Sequence, residues 1–194
     1  MKKFLFAVAA LATSLTASAQ LWVGGSLDFE NSKQWQNEKS RTDWGISPKI
    51  GYALDDALEV GLGFGIRGAS FENNAETKSS ELRFSVAPFV RYTYLSEGNF
   101  SLFVEGNVSY YYYSGKQEPK VGDTQKTSNW NFGVNILPGF KYTLTDHFAL
   151  VATFGRLSYT HSQPDKDINP WMGNQNDLEF NISSGYGIGL YYTF

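Results

Sequence analysis

The chain has 194 residues, a formal charge of −3 and no cysteine. That length makes one domain, and the missing thiols exclude a disulfide framework, a thiolate metal centre and a cysteine nucleophile. The mildly acidic balance argues against nucleic acid as a partner.

Residues 1–19 read as a cleaved signal peptide. Lys2 and Lys3 form a basic start, and Phe4 to Leu15 is an apolar run too short to span a membrane. Ala17-Ser18-Ala19 is a small-residue cleavage site. The domain is then 20–194. Losing the two lysines takes its formal charge from −3 to −5. No later segment approaches the ~18 consecutive apolar residues of a membrane helix.

From Gln20 onward, apolar residues recur at every second position, the period of a strand with one greasy face. The first strand, Leu21 to Glu30, sets Leu21, Val23, Leu27 and Phe29 against Gly24, Ser26, Asp28 and Glu30. A polar loop, Asn31 to Asp43, leads to the second, Trp44 to Leu54, with Lys49 and Gly51 inward and Asp55-Asp56-Ala57 as its turn. The third, Leu58 to Phe71, opposes Val60, Leu62, Phe64 and Ile66 to Glu59, Gly61, Gly63, Gly65 and Arg67, and ends in the loop Glu72 to Ser79. The fourth, Ser80 to Tyr94, carries Glu81, Arg83, Phe89 and Arg91 inward and turns through Glu97-Gly98-Asn99.

The fifth strand, Phe100 to Ser114, directs Phe103, Glu105, Asn107, Tyr111 and Tyr113 inward, with Tyr110 and Tyr112 outward. After the loop Gly115 to Thr127, the sixth, Ser128 to Leu144, points Asn131, Gly133, Asn135, Leu137 and Lys141 inward and turns at Thr145-Asp146-His147. The seventh, Phe148 to Tyr159, loses phase between Phe154 and Leu157, so a bulge is expected at Gly155 or Arg156. The longest loop, Thr160 to Asp177, precedes the eighth strand, Leu178 to Phe194. Pro48, Pro88 and Pro138 lie inside strands, where a missing N–H interrupts a ladder. Each falls six residues from a strand end, which predicts one shared irregularity at a common depth, a bulge or a single unmade bond.

Short turns and long loops alternate along these eight strands, the pattern of a transmembrane barrel with both termini in the periplasm. Tyr52, Tyr92, Tyr142 and Tyr192 follow one another at spacings of 40, 50 and 50 residues, close to the short turns. An aromatic ring with a polar tip at one height on every second strand is what a membrane interface selects. The last strand alternates Tyr186, Ile188, Leu190, Tyr192 and Phe194.

With these features the whole of Leu21 to Phe194 resembles the small OmpA/OmpX-type, porin-like outer-membrane β-barrels of Gram-negative cell envelopes. The resemblance implies an all-β, eight-stranded antiparallel up-and-down transmembrane barrel in the outer membrane. It also implies contact with lipid and lipopolysaccharide, a monomer, no cofactor, and insertion by the barrel-assembly machinery. The assembly signal is then the terminal pattern Tyr186, Ile188, Leu190, Tyr192 and Phe194.

Eight strands enclose a space that side chains fill, and inward charges must pair or stay wet. Counted from the short turns, Arg91, Glu105 and Lys141 lie within diagonal reach on successive strands, which predicts a lumen salt-bridge network. The expected function is therefore that of a filled barrel acting through extracellular loops in envelope integrity or surface interaction. A narrow channel for small or apolar solutes is the alternative. A second is a lipid A-modifying enzyme using His161 and Ser162, with Asp165, Asp167 and Glu179 near in sequence. Adjacent residues of a strand point to opposite faces, so no catalytic residue is assigned. No ligand site is assigned either, and Asp165, Asp167 and the Asp55-Asp56 pair lack the ligand density of a metal loop.

Overall fold

The computed structural model describes residues 20–34, 39–74, 77–119, 124–163, 175–181 and 187–194. The expected signal peptide, Tyr186, Asp165 and Asp167 lie outside them. The strands are β1 (Gln20–Gln34), β2 (Lys39–Ala53), β3 (Leu58–Asn74), β4 (Thr77–Glu97), β5 (Phe100–Pro119) and β6 (Gln125–Thr143). They are followed by β7 (Phe148–Thr153), β8 (Arg156–Gln163), β9 (Gln175–Asn181) and β10 (Gly187–Thr193). β7 with β8, and β9 with β10, are the two halves of the seventh and eighth staves. Each stave pairs antiparallel with the next and β1 pairs with β10, which closes an eight-stranded barrel.

The alternation in sequence becomes the wall. Outward positions such as Ile46, Phe64, Phe84, Val108 and Val134 stay exposed, while Phe89, Arg91, Phe103 and Glu105 on the other phase are buried. A soluble protein could not leave that apolar surface in water. Facing acyl chains it is the outer band of a transmembrane barrel.

The strands run further than their apolar period predicts. β3 and β4 pair up to Asn74 and Thr77, and β5 and β6 up to Gln117 and Gln125, so the expected loops Glu72 to Ser79 and Gly115 to Thr127 are largely paired hairpin. Likewise β1 and β2 pair to Gln34 and Lys39, and β8 and β9 pair from Ser162 and Gln175. An antiparallel ladder persists in water on its backbone bonds, and above the lipid no apolar face is needed to mark it. Crossing the hydrocarbon takes only about 9–11 residues per strand, and β4 has 21.

The short turns are fixed by their own side chains. Asp55 Oδ1 accepts from the N–H groups of Ala57 and Leu58 at 2.8 and 2.7 Å. Thr145 Oγ1 accepts from those of His147 and Phe148 at 3.3 and 3.0 Å. Gly98 takes φ 57° in the tightest turn, a conformation that costs a Cβ-bearing residue.

The three prolines behave alike on one side. Each keeps its rung to the preceding strand, Pro48 with Gly25, Pro88 with Leu62 and Pro138 with Val104. The ladder to the following strand skips Ser47–Pro48, Ala87–Pro88 and Leu137–Pro138. At Pro48 and Pro88 the register resumes unchanged, so an unmade bond and not a bulge is the irregularity. Opposite Pro138 the register moves by one residue at Phe154–Gly155, where Gly155 has φ 73°. That is the bulge which restores the outward phase of Leu157 and Tyr159.

Candidate functional site

Glu59, Arg91 and Glu105 are direct cross-strand neighbours on β3, β4 and β5. Arg91 donates to Glu59 at 3.0 Å and to Glu105 at 2.8 Å. Lys141 joins through Glu59 at 3.0 Å, and Lys49 reaches across the lumen to Glu105 at 2.6 Å. The network therefore includes Arg91, Glu105 and Lys141, but Lys141 is held by Glu59 and not by Glu105. Lys49 and Glu59 are further members, outside the expected Arg91, Glu105 and Lys141 set. Arg91 and Glu105 are each 1 % exposed.

Aromatic rings close the space around Arg91. Its guanidinium carbon lies 4.4 Å from the Phe103 centroid and 5.3–5.6 Å from those of Trp22, Tyr191 and Phe89. Trp22 stacks on Tyr191 at 4.7 Å. Each of the four rings lies over a glycine directly opposite on the next strand: Trp22 on Gly51, Tyr191 on Gly24, Phe89 on Gly61 and Phe103 on Gly139. A Cβ at any of these glycines would meet the ring, so the small residues are what let large ones lie flat across a narrow lumen. The assembly is a plug in which the terminal nitrogens of a buried guanidinium meet two carboxylates and four rings surround it, while its Nε has no hydrogen-bond partner.

Above the plug, Asn135 Nδ2 donates to Asn107 Oδ1 at 2.8 Å and to Ser109 Oγ at 3.0 Å. Higher still, toward the long hairpins, a cavity of about 920 Å³ is lined by Arg41, Arg67, Arg83, Arg156, Asp43 and Glu81, among others. Arg41 is chelated by Asp43 at 2.7 and 2.8 Å, and Arg156 approaches Glu179 at 3.4 Å.

The four tyrosines expected to form a girdle stand beside the short turns, Tyr52 opposite Leu21, Tyr92 opposite Leu58, Tyr142 opposite Phe100 and Tyr192 opposite Phe148. Of the terminal pattern, Ile188 and Leu190 face outward, and Tyr192 packs edge-on against Phe148 and Phe194 at 5.1 Å each. His161 shares its rung with Phe132 on the outward side, and its Nδ1 is 2.8 Å from Asn176 Oδ1. Ser162 shares the rung of Asn131 on the inward side. The two are adjacent in sequence and separated by the barrel wall.

Comparison with solved structures finds the same architecture. The chain is similar to a major outer membrane protein from Thermus thermophilus, with 13% identity and a TM-score of 0.56 over 91% of this chain and 99% of that one. It is similar to Ail, the attachment invasion locus protein of Yersinia pestis, in a complex with the heparin analogue sucrose octasulfate, with 14% identity and a TM-score of 0.52 over 91% and 97%. The translocator domain of the autotransporter NalP from Neisseria meningitidis matches with 12% identity and a TM-score of 0.52, over 99% of this chain and 65% of that one. Comparison with curated proteins finds no match. The profile of the outer membrane protein beta-barrel domain matches residues 4–194, and with the lipid-facing wall, the closed eight-stranded ladder and the filled lumen already described, the chain belongs to that outer-membrane family.

Proposed function

We propose that this barrel is a non-catalytic component of the outer membrane whose lumen is sealed by the Arg91 plug and whose long hairpins meet partners at the cell surface, in envelope integrity or surface interaction. The observation that carries this reading is the burial of the Arg91–Glu105 pair, each 1 % exposed, with four aromatic rings around the Arg91 guanidinium. A conducting pore of this width would need that layer to be wet. In this reading both termini face the periplasm, lipopolysaccharide and other lipid surround the outer face, the barrel-assembly machinery inserts the chain, and the protein works as a monomer. The complex of Ail with a heparin analogue supports a surface-interaction role for a barrel of this shape.

Single-channel recording in planar bilayers tests the reading. The native protein is expected to give no discrete opening steps, and the Arg91→Ala/Phe103→Ala double variant to give them. Reproducible steps from the native protein would overturn the plug. The separation of His161 from Ser162 supports a non-catalytic role. Mass spectrometry of lipid A from cells expressing the native protein and the His161→Ala/Ser162→Ala variant is expected to show identical profiles.

A further inference from the structure

The outward face toward the long hairpins carries a group of side chains that the plug does not use. Antiparallel pairing puts Tyr110, Phe132, His161 and Asn176 on one rung of β5, β6, β8 and β9, with Tyr112, Trp130 and Gln163 on the next outward rung above. The rings run together: Tyr110 stacks on Trp130 with centroids 6.2 Å apart, and the Trp130 and His161 rings lie 6.3 Å apart. Asn176 Oδ1 accepts from the Tyr159 hydroxyl at 3.0 Å and from His161 Nδ1 at 2.8 Å. With its proton on Nδ1, the neutral imidazole keeps Nε2 as an acceptor, and the Asn176 amide keeps its N–H donors. Among the described residues no other hydrogen bond engages either group. Tyr110, Trp130, Tyr159 and Asn176 are all exposed on the outer surface.

The height of this group identifies what covers it. Tyr110 lies ten residues beyond Phe100, which is paired with Tyr142 at the short-turn end. At about 3.3 Å per residue and a strand tilt of about 40°, that distance is roughly 25 Å across the bilayer, the height of the apolar band of such a barrel. Below it the outward positions Val134, Ile136, Leu157, Leu178 and Phe180 are apolar and exposed. At it hydrogen-bonding groups join the rings, and the patch is continuous with the lipid-facing wall, so the head of a lipid lies against it. The two rungs carry no charged side chain on their outward side, since Asp177 shares the inward phase of Thr160. A phosphate head would find no counter-charge there. A sugar fits: the C–H face of a pyranose suits the negative face of an aromatic ring, and its hydroxyls both donate to an imidazole nitrogen and accept from an amide.

We propose that this patch binds the sugar headgroup of a glycolipid, the sugar ring lying on Trp130 with its hydroxyls on His161 and Asn176, and the acyl chains running down the apolar rungs below. The inference rests on the surface-interaction reading only in taking the long-hairpin end as the outer one: opening steps in a planar bilayer would overturn the plug and leave the lipid preference as it is. Native mass spectrometry of the full chain in a zwitterionic, sugar-free detergent tests it. Glucosyl diacylglycerol, phosphatidylethanolamine with the same acyl chains and free glucose are offered at equal concentration. The glucolipid is expected to be retained about tenfold over phosphatidylethanolamine, the combined effect of two hydrogen bonds of ordinary net strength. Asn176→Leu should abolish the preference while the unheated gel mobility of the folded barrel persists, and Trp130→Leu should lower it. Equal retention of the two lipids overturns the proposal. So does displacement of the glucolipid by free glucose, which would mark a site for a soluble sugar, and so does an unaltered preference in a folded Asn176→Leu variant. If that variant does not assemble, the comparison of lipids on the native chain decides.

Discussion

Removing one member of a buried ion network leaves its partners charged where water cannot reach them. Arg91→Ala would leave the buried Glu59 and Glu105 side by side with only the partly exposed Lys141 and Lys49 to hold them, and is expected to destabilise the barrel by about 3–5 kcal/mol. Lys49→Ala, at a side chain 24% exposed and with Glu105 still held by Arg91, should cost about 1 kcal/mol or less. Chemical unfolding of the two variants in detergent micelles checks the contrast. The inward phase of Arg91, Glu105 and Lys141 is legible in the sequence, since alternation gives direction and the short turns give height. The part of Glu59 is decided by the pairing of β3 with β4, which sets it directly beside Arg91 and within reach of Lys141. The stacking of Trp22 on Tyr191 depends on pairing in the same way: it joins the first and last staves, which meet only when the barrel closes.

At the scale of the element, the seventh stave shows how one residue repairs a pattern. Gly155 at φ 73° absorbs the extra residue, so that Phe154 and Leu157 can both face lipid. Gly155→Ala is expected to cost about 1–2 kcal/mol, the strain of a left-handed backbone with a Cβ, measured as a lowered unfolding midpoint in the same micelles. The bulge is readable from the broken alternation around Arg156. Its location opposite Pro138, where Phe154 N–H finds the Pro138 carbonyl at 3.0 Å, follows from the short Thr145-Asp146-His147 turn that sets the register of the two segments. The prolines themselves announce a lost donor, and only the assembled ladder shows that each loss falls on the side of the following strand.

At the scale of the whole molecule, among the described residues each stave is bonded to both of its neighbours, and unfolding must break ladders all around the barrel together. The protein extracted from membranes is therefore expected to stay closed in cold detergent, to run at an anomalous position on an unheated gel and to shift on boiling. The plug is shielded from solvent ions, so this resistance should change little between low and high salt. A shift that already appears without heating, or one that varies steeply with salt, would contradict a closed barrel with a dry charged layer.

Sequence alone determined the strand count and the outward phase of the regularly alternating strands, because a membrane imposes its period and its thickness on every strand separately. Tertiary structure alone decided which carboxylate holds Lys141, how four rings close over Arg91, and that Arg67 and Arg83 stand directly opposite each other. Those outcomes depend on the stagger between strands that long hairpins or the final closure bring together, a quantity that no single strand encodes.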